Sequence, residues 1–341
     1  MSSLVKTNRI DVINVGLLLF SLALAFVIPF ELFLFVYAVL GPLHYLTEIS
    51  WLHDKNYYTK SRKDVILLVI ISLFLTFLFV AGQHYGPWLN EIIPSETHGI
   101  LNSSLTFIAF GSAMFMAFIR KPMVRAVGII LTILMVLLVN KSIPFFTVFL
   151  PTLVHVFLFT SLFMLYGALR SKSKVGLFTV FLHILCPILL FYMFPGDSNM
   201  FLSDGGKAMY ENSMFAGLNS YILQNNFGVE IRSMQELTNT IFHTDLGVSI
   251  MRFIAFAYTY HYLNWFSKTE IIRWHKVPKS RFIGVLIAWV VSVVLYAWDY
   301  TLGFQWLFLL SFMHVLLEFP LNYVSVAGIF QEIKTRSVKT A

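Results

Sequence analysis

The chain predicts an all-α fold, a polytopic integral membrane helical bundle of about ten transmembrane helices with both termini in the cytoplasm. Three observations carry this. Of 341 residues 58% are hydrophobic and only 12% charged, where a soluble domain has roughly a quarter charged. The apolar residues gather in runs near the ~20 residues that a helix needs to cross hydrocarbon. Lys and Arg fall almost wholly in alternate connections between those runs, the asymmetry that sets orientation.

The first run, 10–29, follows Lys6 and Arg9 as a signal peptide would, but it is too long and lacks a small-residue cleavage site, so it reads as the first span. Further spans are predicted at 32–51, 64–82, 100–119, 126–140, 146–169, 175–194, 248–267, 282–299 and 303–326, with 126–140 the shortest. Every Lys and Arg except Lys141, Lys207, Arg232 and Arg252 then lies on one side. Residues 1–341 form a single transmembrane domain, and 195–247 is a long non-cytoplasmic loop. Within that loop Met214–Leu223 reads either as an interfacial helix or as part of an irregular surface segment. The formal charge of +7 is spread through short inter-span clusters, which excludes a nucleic-acid partner. The one cysteine, Cys186, excludes an internal disulfide. Compact loops suit a bacterial inner (cytoplasmic) membrane.

Six ionisable residues interrupt the apolar spans: His44, Glu48, His155, His261, His314 and Glu318. A charge at the bilayer centre costs roughly 3 kcal/mol even on insertion scales, so such groups face a partner, a metal or a water-filled cavity. His44 with Glu48 and His314 with Glu318 repeat one spacing, and residues four apart share a helix face. Counting about 1.5 Å per residue from the basic ends places His44, His183, His261 and Glu318 in one layer, with His314 about a turn deeper and His155 deeper again. Imidazole mixed with carboxylate is the ligand chemistry of non-haem iron, manganese or zinc, and such sites keep positions open for oxygen, water or substrate. Fe(II) is the expected metal, zinc the second choice, and haem with two axial histidines a third.

The remaining polar candidates are assigned to substrate or to a supporting shell: His53 at the cytoplasmic rim, and His183, Tyr260 and Asn264 inside the spans. Each has a plainer reading, as an interhelical hydrogen bond or an ion pair within the bundle. Arg252 is expected to snorkel towards headgroups. His84, His98, His243 and His275 fall in predicted connections and read as solvated.

The run Gly41-Pro42-Leu43-His44-Tyr45-Leu46-Thr47-Glu48 resembles the Gly/Pro-His motif, with an acidic residue four positions on, of the Brp/Blh-type membrane carotenoid dioxygenases, which cleave β-carotene to retinal. Met313-His314 is similar to the last intramembrane histidine of that family. Tyr45 stands where the family pattern has Gly, and Glu48 where it has Asp. The resemblance implies an all-helical fold with iron held by His44, His155, His261 and His314. The expected function is therefore a metal-dependent oxygenase acting on an apolar substrate drawn from the bilayer, a carotenoid, another isoprenoid or a lipid. Glu48 or Glu318 would serve as ligand or proton-transfer group. Membrane lipids are the other expected partners. The competing classes are a proton- or ion-coupled transporter with a His/Glu relay, against which no broken helix pair or inverted repeat is legible, and a haem-binding electron carrier.

Overall fold

The structure is a computed structural model that describes residues 3–58, 61–92, 94–119, 121–138, 150–192, 200–213 and 215–340, and all regular secondary structure in them is helical. The chain is a helical membrane protein: among the described residues seven helices are long and apolar enough to span a bilayer, or eight if one bent pair counts as a span. Each of the ten expected runs meets a helix in its described part, residues 139–140, 146–149 and 193–194 lying outside the described residues, but Ser103–Met116 and Pro122–Val136 are shorter than spanning length.

Several helices are broken where proline demands it. The expected 32–51 span comprises α2 (Pro29–Phe35), a π-helical turn (Val36–Leu40) and α3 (Gly41–Asp54). Pro42 has no N–H for its i−4 carbonyl, and a widened turn before it absorbs that mismatch. A second π-helical stretch, Leu150–Phe159, contains Pro151 and carries His155.

The structure divides into two compact units: residues 1–44, 156–304 and 329–341, and residues 45–155 and 305–328. In the first unit α1 (Ser3–Val27) packs on α8 (Lys174–Tyr192) and on α12 (Asp245–Ser267), while α7 (Thr160–Ser171) packs on α8. Arg252 does not snorkel. It is fully buried, its Nε donates to the Phe26 carbonyl at 3.0 Å, and its guanidinium lies 4.1 Å from the Phe26 ring centroid. That carbonyl belongs to the last turn of α1, where no intrahelical donor remains, so the arginine is consumed as a helix C-terminal cap.

The stretch expected as a long loop, 195–247, holds three helices among its described residues: α9 (Asp204–Glu211), α10 (Ala216–Phe227) and α11 (Met234–His243). Glu31 of α2 anchors them. Its Oε1 accepts from Ser203 N at 2.6 Å and from Ser203 Oγ at 3.0 Å, and Ser203 in turn caps α9. Phe30 and Phe33 supply the apolar side, packing edge-on against Tyr210 and Phe215 with centroids 5.0 and 4.6 Å apart.

Helices α11 and α12 meet at a 72° bend, a broken pair that the sequence does not announce. Thr244 caps α12 through Gly247 N at 3.1 Å, and a Cβ on Gly247 would run into the Thr240 carbonyl and the Ile241 backbone. Those are backbone atoms that no rotamer change can move. Gly247→Ala is expected to destabilise the protein by about 1–3 kcal/mol, read as a lowered thermal midpoint in detergent. An unchanged midpoint would show that the corner tolerates a side chain.

In the second unit α4 (Arg62–Ile92), α5 (Ser95–Phe118) and α6 (Pro122–Leu138) pack in sequence. Arg125 clamps them, pairing with Asp64 at 2.7 Å and donating to the Ile119 and Met116 carbonyls that end α5. The middle of the last helix, α15 (Tyr300–Thr340), completes this unit through Phe79–Phe308 stacking at 3.8 Å and Phe110 against Phe312 and Phe319.

Candidate metal centre

In the first unit His44, in the opening turn of α3, meets His261 of α12 with their Nε2 atoms 3.0 Å apart. The rings stand nearly perpendicular, at 78°. Tyr262 and Trp265, with centroids 5.2 and 5.4 Å away, hold the His44 ring. Thr160 decides the protonation of His261. Its hydroxyl lies 2.7 Å from the Val156 carbonyl and 2.7 Å from His261 Nδ1. A carbonyl can only accept, so the single hydroxyl proton goes to Val156 and the hydroxyl oxygen must accept from Nδ1–H. Neutral His261 therefore presents a bare lone pair at Nε2, the form in which imidazole binds a metal.

The second unit repeats the arrangement. His155 Nε2 and His314 Nε2 are 2.9 Å apart, with the rings at 79°. A carboxylate here takes the place of the hydroxyl: Glu318 Oε2 lies 3.1 Å from His155 Nδ1. A carboxyl beside Nδ1 is the arrangement that, in carboxylate–histidine–metal sites, holds the proton there and leaves Nε2 as the donor atom. Glu318 thus stands one turn beyond His314 but serves His155 on another helix. Tyr45 stacks on His314 at 4.1 Å and 23°. Glu48 is buried within electrostatic reach of Glu318. Two carboxylates this deep need a cation or a proton between them, since unpaired buried charge costs several kcal/mol.

The spacing fits a metal. Two nitrogens bound to one ion at about 2.1 Å and at a right angle stand about 3.0 Å apart, and about 3.4 Å at the tetrahedral angle. The observed separations of 3.0 and 2.9 Å let both nitrogens of each couple reach one ion, and they are also the length of an N–H···N hydrogen bond. His44 and His261 in the first unit, and His314 in the second, are buried histidines that can bind a metal ion.

The other expected residues distribute unevenly. His53 is exposed, and among the described residues its Nδ1 lies 3.5 Å from the Tyr57 hydroxyl, so it does not share the burial of the other histidines. Asn264 is buried one turn beyond His261, and its carbonyl accepts from Ser267 Oγ at 2.8 Å. His183 and Tyr260 are buried side by side, their ring centroids 5.1 Å apart. Thr160 and Ser161 are contributors that sequence reasoning missed. Ser and Thr in apolar helices ordinarily bond back to their own helix. Thr160 and Ser161 do that as well, so nothing in their spacing sets them apart.

No known family model matches this chain, and neither does any curated protein or solved structure.

Proposed function

We propose that the protein is a membrane-embedded, non-haem iron-dependent oxygenase acting on a lipophilic substrate, in the manner of the Brp/Blh-type carotenoid dioxygenases that its His44 and His314 segments resemble. The observation that carries this reading is that each unit holds a buried couple of imidazoles with Nε2 atoms about 3 Å apart and a polar side chain beside Nδ1 of one ring. Two imidazoles in each couple would leave other positions on a bound ion open for oxygen or substrate. We place the chain in a bacterial inner membrane with both termini cytoplasmic, on the distribution of Lys and Arg.

Bound iron would supply dioxygen activation; the chain's own residues do the rest. His44, His155, His261 and His314 are the donors. Thr160 and Glu318 hold the Nδ1 protons of His261 and His155. Glu48, buried within electrostatic reach of Glu318, is the group suited to take or return a proton. The apolar walls exclude bulk water, so the geometry of these dipoles is set before substrate arrives.

Elemental analysis of purified protein is expected to find iron. Oxygen uptake with β-carotene in mixed micelles should disappear on chelation and return with Fe(II) but not Zn(II). Metal-free protein as isolated, or uptake indifferent to chelation, would overturn the proposal.

The broken α11–α12 pair favours a second reading, an ion-coupled transporter, because transporter sites form at helix breaks. The break at Thr244 lies 17 residues before His261, roughly 25 Å along the helix, so it does not contain the histidines. Ion flux in proteoliposomes by metal-free protein would support that reading instead.

A further inference from the structure

Ser161 treats His183 as its neighbour Thr160 treats His261. The Ser161 hydroxyl lies 2.9 Å from the Phe157 carbonyl and 2.9 Å from His183 Nδ1. The same proton accounting applies: the hydroxyl donates to the carbonyl and accepts from Nδ1–H, leaving a bare lone pair on His183 Nε2. His183 is fully buried, and that Nε2 has no hydrogen-bond partner among the described residues. The hydroxyl of Tyr260, beside it and equally buried, also has none. Leaving one such atom unpaired costs about 1–3 kcal/mol, and here an acceptor and a donor are left on neighbouring rings.

A line of aromatic rings leads to this polar pair. From Phe227 of α10, which is 49% exposed, the centroids step 6.3 Å to Phe191, 6.2 Å to Phe253, 5.4 Å to Phe157 and 4.4 Å to His183. Phe191, Phe253 and Phe157 are all partly exposed rather than buried. Along α8 alone, His183 to Phe191 covers about 12 Å. A partly open apolar track that ends on one acceptor and one donor matches an elongated molecule with one hydroxyl at its end. Its tail would lie along the rings, its O–H would donate to His183 Nε2, and its oxygen would accept from Tyr260.

We propose that His183 and Tyr260 form the head-group site for a long-chain alcohol of isoprenoid or acyl type, with the Phe227-to-Phe157 ring track holding its tail. The proposal rests on the lipophilic-substrate reading above and narrows it to a hydroxyl-terminated lipid.

The test uses parinaryl alcohol, a fluorescent linear polyene, with its methyl ether and the parent hydrocarbon, titrated into the full-length protein in nanodiscs. Wild type is expected to bind the alcohol about tenfold more tightly than the hydrocarbon, with the ether between them because it can accept from Tyr260 but cannot donate to His183. Tyr260→Phe should remove the preference of ether over hydrocarbon, and His183→Phe that of alcohol over ether. Hydrocarbon binding should stay as in wild type for both variants, which reports that the track is intact. Equal binding of all three probes by wild type, or an unchanged order in both variants, overturns the site. Metal content measured on the same samples keeps the two readings apart. Alcohol preference in protein without metal would leave this site standing while the oxygenase reading fell, and iron without alcohol preference the reverse.

Discussion

His44→Ala and His314→Ala are each expected to reduce the metal content of the purified protein to below about one tenth of wild type for the ion their pair holds, with the helical circular-dichroism signal retained. The argument is one of donor count. Each facing pair offers two nitrogens about 3 Å apart, and a single remaining imidazole cannot hold a divalent ion in competition with buffer. Folding should survive because the truncation removes a polar group from an apolar setting and leaves the stacking partners Trp265 or Tyr45 in place. A cavity costs stability, so His44→Phe and His314→Phe provide controls that fill the volume without donating. Full metal retention by both alanine variants would remove these residues from the coordination shell, and oxygen chemistry would have to be sought elsewhere. The residual stoichiometry in each variant also reads how many ions the two pairs take.

Much of this architecture is legible in the sequence, for reasons that differ by residue. His44, His155, His261, His314 and Glu318 announce themselves because ionisable groups are expensive in an apolar run, and the structure buries all five. What spacing cannot give is direction. Glu318 lies four residues from His314, yet its carboxylate is used by His155, which is 163 positions away in the chain. His53 looks equivalent to the others as a letter, but it follows the apolar run and ends exposed at the tip of α3. Arg252 is legible as costly, but the sequence alone points it to headgroups, because the need it meets, an orphan carbonyl at the end of α1, arises only when two distant helices touch. The helices α9 to α11 hid inside an apparent loop since each is under 13 residues and gains its stability from packing, α9 on α2 and the other two on each other and on α12, rather than from its own periodicity.

Thr160→Val gives the sharpest test of the tautomer argument, because it keeps the side-chain shape and deletes one oxygen. Metal affinity is expected to fall about 10–100-fold, the range for lost supporting contacts behind a ligand histidine, and Thr160→Ser should restore it. With no acceptor behind Nδ1, His261 can move its proton to Nε2, where it blocks the metal position and hydrogen-bonds to His44 instead. Glu318→Gln makes the matching change in the second unit: an amide oxygen can still stand beside His155 Nδ1, but the ionisable carboxyl that would support a metal-bound ring is gone. A loss of comparable size is expected there, larger with Glu318→Ala, which removes the acceptor as well. Imidazole nitrogen shifts in labelled protein separate this from general damage to the fold. Thr160→Val should move the His261 pair alone and leave His183, held by Ser161, unchanged. Were the His44–His261 contact merely a shared proton, Thr160→Val would still shift the nitrogen signals but leave metal content at the wild-type level, and the first unit would then hold a hydrogen bond where a ligand pair is proposed.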